Sequence, residues 1–164
     1  MTWSKNFATA ATLFVLTSRI TLQSAGNGQS VKPEELASIK ALTCVFPMAA
    51  VGNWSSEGAQ PPRVKTEGVL RLEIDSIDTQ GGSAQILGGS RNAFVVARLA
   101  GWSLHFLETD ETGSLNATTV FAQHGPTGKL RAVHSRASYV PVELRGVTVD
   151  AAASQYYGEC DAVR

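Results

Sequence analysis

From Leu42 onward, hydrophobic and polar residues alternate with a period of two, and clusters of Gly, Asn, Asp and Pro punctuate the alternation. Successive β-strands with one buried and one wet face give this pattern. Leu70, Leu72 and Ile74 alternate with Arg71, Glu73 and Asp75. Gly81-Gly82 and Gly88-Gly89 bracket a short strand around Gln85 to Leu87, and Ala93 to Leu99 supplies the next before Ala100-Gly101. Trp102 to Glu108, Asn116 to Gln123 and Lys129 to Arg136 are three further strand candidates. The short segments between them predict antiparallel neighbours. Tyr139 to Leu144 comes next, then a loop over Gly146 to Ser154, then Gln155-Tyr156-Tyr157 leading to Cys160. The expectation is a mostly β domain, an antiparallel meander of about eight strands forming a barrel or half-barrel, with a two-sheet sandwich as the alternative.

Before the strands the pattern differs. Lys5, the apolar stretch Phe7 to Leu16 and the small residues Ser24, Ala25 and Gly26 read as an export signal cleaved near Ala25. The apolar run is shorter than the roughly 20 residues a membrane-spanning helix requires, and Arg19 follows it. Pro33-Glu34-Glu35 then opens a short helical pattern carrying Leu36 and Ile39. The expected organisation is a signal peptide over 1–26, a polar linker and short helix over 27–41, and one β domain over 42–164. Such a chain is expected to be periplasmic or secreted, with no membrane span after cleavage.

Composition narrows the partners. The 164 residues are 43% hydrophobic and 17% charged, which describes a globular chain able to bury one core. Fourteen Lys and Arg balance fourteen Asp and Glu, so no net field draws in nucleic acid or an anionic membrane. The chain has two cysteines, Cys44 and Cys160, near the two ends of the expected domain. An oxidising compartment predicts that they pair, the alternative being two separate buried thiols.

Two resemblances bear on this reading. His105-Phe106-Leu107-Glu108, Thr118-Thr119-Val120-Phe121, Ala132-Val133-His134-Ser135-Arg136 and Gln155-Tyr156-Tyr157-Gly158 with Cys160 resemble a family of small exported bacterial proteins without an assigned activity. That resemblance implies export, the domain limits and the disulfide, and supplies no function. Gly52-Asn53-Trp54 is similar to the Gly-x-Trp near the first strand of lipocalin-like barrels. There the tryptophan closes one end of a ligand-binding barrel.

With symmetric hairpin registers, Trp102, Leu104 and Phe106 share a face with Val120, Ala122, Leu130 and Ala132. Together with Leu70, Leu72 and Ile74 these residues are the expected interior. Further along the same face, Glu108, Asn116, Thr118, His134 and Arg136 gather at one end of the strands. A polar ring at the mouth of an apolar pocket can orient the head of a small apolar ligand, which makes Trp102, Phe106 and these five residues the candidate binding set. Glu108 and His134 could instead act as an acid and base pair. The ring could also be a solvated rim in which Glu108 pairs with Arg136.

The remaining chemistry is thin. His105 falls on the opposite face from His134 and His124 sits in a turn, so no three histidines are expected to converge on a metal. The chain contains no Gly-x-Ser-x-Gly elbow, Cys-x-x-Cys pair or dinucleotide loop. No catalytic residue, metal or cofactor is assigned. The expected function is a non-enzymatic binding or envelope-accessory domain, for a small apolar ligand or an envelope protein. The alternatives are an enzyme using Glu108 and His134 and a structural or protein-interaction domain. The interior discriminates among them: a cavity favours a ligand, and a filled barrel favours interaction or stability.

Overall fold

The computed structural model describes residues 30–163 apart from 56, 67, 89–91, 112, 140–142, 145–146 and 149–150. The expected export signal lies outside the described residues. One short helix, α1 (Pro33–Ala37), precedes the strands β1 (Ala41–Ser55), β2 (Gly58–Ala59), β3 (Arg63–Lys65), β4 (Leu70–Asp78), β5 (Ser83–Leu87) and β6 (Ala93–Ala100). The order continues with β7 (Ser103–Thr109), β8 (Leu115–His124), β9 (Leu130–Ser138), β10 (Glu143–Leu144), β11 (Val147–Thr148) and β12 (Ala152–Val163).

Eight of these strands close into an antiparallel barrel in the order β1, β4, β5, β6, β7, β8, β9, β12, with β12 pairing back onto β1. Closure leaves none of the eight as a long free edge, which is the liability of an open sheet. The short strands β2 and β3 add to the far half of β1, and β10 and β11 form a separate hairpin. Part of the expected Tyr139 to Leu144 strand lies outside the described residues, and its last two residues belong to that hairpin. The expected loop over Gly146 to Ser154 is shorter than the alternation suggests, because β12 already begins at Ala152, paired with Ser138.

Inward positions alternate along each strand as the period-two pattern requires. Leu42, Cys44, Phe46, Ile74, Ala97, Leu104, Phe106, Val120, Leu130 and Ala132 are buried, and Leu70 and Leu72 pack against them half-buried. The helix closes one end. It directs Leu36 into the core, flanked by Val31 and Ile39, and the Val31 N–H donates to the Ala122 carbonyl at 3.0 Å. Cys44 and Cys160 face each other in the register of β1 and β12 and are joined in a fully buried disulfide that ties the first barrel strand to the last.

Trp102 departs from the expected interior. Ala100 pairs with Ser103, so Gly101 and Trp102 are a two-residue turn, with Gly101 at φ 55°. The turn lifts the indole out of the strand alternation and leaves it 60% exposed at the helix end of the barrel. Gly52, Asn53 and Trp54 lie at the far end of β1, where Trp54 pairs with Ala59. Trp54 is 46% exposed there.

One feature of β1 needs glycine on its neighbour. The register of β1 against β12 shifts between Val45 and Met48, around Pro47, which has no N–H to give to a ladder. Opposite this bulge stands Gly158. A Cβ there would come within 2.0 Å of the Val45 carbonyl oxygen and 2.7 Å of the Phe46 Cα, so the close approach of the two backbones requires its absence.

Candidate functional site

The interior changes character in steps along β7, β8 and β9. Leu104, Val120 and Ala132 form one cross-strand row. Phe106, Thr118 and His134 form the next, continued by Tyr156 on β12 and Ala49 on β1. Glu108, Asn116 and Arg136 form the third, continued by Ser154 and Val51. The apolar core thus gives way to a mixed row and then a polar one at the end opposite α1. Six of the seven candidate binding residues meet in these two outer rows, and Trp102 lies apart at the other end.

The middle row is tightly enclosed. Thr118 and His134 are buried, and Thr118 Oγ1 lies 2.9 Å from His134 Nδ1. The imidazole packs between Phe46 and Tyr156, with ring centroids 6.1 Å and 5.7 Å away. Burial, with a smaller contribution from the neighbouring Arg136 charge, holds the His134 pKa below the ordinary 6.5, so the ring is neutral at pH 7. Its Nδ1 is engaged by Thr118, and no bond from Nε2 exists among the described residues.

The outer row binds itself. Asn116 Nδ2 donates to Glu108 Oε2 at 3.5 Å, a long hydrogen bond. Arg136 reaches Asp110 at 3.8 Å, so the guanidinium's carboxylate partner is Asp110, on the turn beyond β7, and not the expected Glu108. That pair is half-exposed and contributes little to stability. Glu108 and His134 therefore bind different neighbours, and the forces that lower the His134 pKa are burial and Arg136. His105 points outward and contacts Thr119 Oγ1 at 3.1 Å, so the histidines are spread over different faces.

A second feature lies outside the barrel. Outward side chains of β8, β9, β12, β1 and β4 line a groove of about 1040 Å³. Its floor is apolar, built by Val45, Pro47, Met48, Phe121, Val133 and Tyr157. Register explains the assembly: Val45 stands opposite Arg71 on one side and Glu159 on the other, and Glu159 opposite Arg131. Met48, Tyr157 and Val133 form the adjoining row. Tyr157 Oη donates to Gln155 at 2.7 Å, outside the floor, which leaves the ring face to the groove.

Its charges are unevenly satisfied. Glu159 accepts from Thr127 Oγ1 and leans over the 124–128 turn, where a Cβ on Gly125 would collide with its carboxylate. Lys129 pairs with Asp161 at 3.1 Å. Among the described residues Arg131 reaches only a neutral amide, Gln123 Oε1, at 3.3 Å. Arg71 has no carboxylate partner among the described residues. The sequence offered no pointer to this surface, because its residues come from five strands and are the outward half of each alternation.

Comparison with protein-family models, with curated proteins and with solved structures found no match.

Proposed function

We propose that the chain is an exported, non-catalytic binding domain that uses the outer wall of its barrel. One observation carries this reading: aliphatic side chains, Phe46, Phe106 and the disulfide pack into one core cluster, whereas the outer groove offers about 1040 Å³ above an apolar floor. That volume lies just above the roughly 300 to 1,000 Å³ typical of small-molecule sites. The buried disulfide fits an oxidising compartment outside the cytoplasm. The polar mouth supports the reading by its self-sufficiency, since Glu108, Asn116, Thr118, His134, Arg136 and Asp110 bind one another.

A neutral fluorescent apolar probe such as N-phenyl-1-naphthylamine tests it. Val133→Glu places a charge on the groove floor and should abolish probe binding while the protein stays folded by circular dichroism. Arg136→Ala at the mouth should leave binding intact. Loss of binding in Arg136→Ala with none in Val133→Glu would move the site to the mouth and end the proposal.

A further inference from the structure

We infer that the outer groove takes a single-chain amphiphile with an anionic head, of the long-chain carboxylate class, its chain along the floor and its head at Arg71 or Arg131. The inference rests on the binding reading above and specifies the ligand. Two observations select this occupant.

The first is the charge inventory. Of the four ionised groups lining the groove, Lys129 is held in an exposed ion pair with Asp161, and Glu159 keeps its charge but directs its carboxylate onto the 124–128 turn, where Thr127 donates to it. Arg71 and Arg131 remain, at the two sides of the floor, and among the described residues neither forms an ion pair. A guanidinium without an anionic partner next to apolar surface favours a carboxylate, which it can bind through two parallel hydrogen bonds.

The second is the state of the backbone. Beneath the floor, β12 is paired on both sides, by β9 and by β1, and β1 is paired with β4 up to Phe46. An extended peptide laid there would find no free strand edge and would bury unpaired amides against Val45, Val133 and Tyr157. A hydrocarbon chain has no such groups to satisfy.

The test uses the protein lacking residues 1–26 and the full chain in parallel, with isothermal titration of dodecanoate, dodecanol and dodecylammonium, each in monomeric solution. Dodecanoate should bind tightest, with dodecanol weaker by roughly tenfold or more, the usual worth of a hydrogen bond to a charged group. Added salt should weaken dodecanoate alone. The double variant Arg71→Ala/Arg131→Ala, whose substituted side chains are exposed, should reduce dodecanoate to the level of dodecanol without a change in melting temperature. Equal binding of acid and alcohol, or an unchanged double variant, would overturn the anionic-head assignment while leaving an apolar groove in place. Failure of all three amphiphiles and of the neutral probe would remove the binding reading with it.

Discussion

Replacing both cysteines with alanine, Cys44→Ala/Cys160→Ala, probes how the barrel is kept closed. The bond spans 116 positions in sequence and joins β1 to β12, the pair that converts a long meander into a closed cylinder. A cross-link closing a loop of that length removes unfolded-state entropy worth about 4.8 kcal/mol in the chain-entropy model. Residual structure in the unfolded chain lowers the measured value, and the cavity left by two buried sulfurs raises it. A loss of about 3 to 5 kcal/mol is expected, equivalent to roughly 10 to 20 °C in melting temperature for a domain of this size. Alanine is the informative replacement, because serine would add two buried hydroxyls to a fully buried site. The assay is urea unfolding followed by tryptophan fluorescence, with and without reductant. Both sulfurs are buried, so reductant should act on the parent only above the onset of unfolding and should leave the variant's curve unchanged. A variant within about 1 kcal/mol of the parent would show that the ladder of β1 and β12 closes the barrel unaided, and would refute the argument.

Three further outcomes follow from the packing. Phe106→Ala removes a fully buried ring from the mixed row, next to the apolar one, and should cost about 3 to 5 kcal/mol in chemical denaturation. Gly158→Ala should cost about 2 to 3 kcal/mol by the same measurement, since its methyl meets backbone that cannot rotate away. The third concerns pH. The pKa of His134 is lower in the folded protein than the ordinary 6.5, so the unfolded chain binds more protons. Its contribution is fully present above pH 6.5 and declines as pH falls from there through the folded value. His134→Gln should flatten the stability profile over that window, and an unchanged slope would show that other groups set it.

Much of the fold was legible in the alternation. Leu70, Leu72 and Ile74, and the three strands from Ser103 to Ser138, keep a strict period of two, and short connections force antiparallel neighbours, so the register that places Glu108 beside Asn116 and Asn116 beside Arg136 follows from symmetric hairpins. Alternation fails where the backbone departs from a plain strand. Trp102 fits the inward phase but occupies a two-residue turn, and turn residues do not obey strand phase. The bulges at Val45 to Met48 and at Asp75 to Asp78, with Ser76 at φ 53°, shift the phase within a strand. The β1 bulge also let a 15-residue strand run through Pro47, a residue that usually ends one. The partner of Arg136 was missed because Asp110 sits in a turn whose path the strands do not dictate. The groove was the least legible feature: its residues are the outward members of β8, β9, β12, β1 and β4, and only closure of the barrel brings them together.

Where a ligand contacts the barrel is the point on which the functional account stands. Amide chemical-shift mapping by NMR during titration with dodecanoate measures it residue by residue. The account predicts perturbations centred on Val45, Phe121, Val133 and Tyr157, extending to Arg71 and Arg131, with the mouth undisturbed. Perturbations centred on Thr118, His134, Arg136 and Ser154 would contradict it and place binding at the mouth of the barrel.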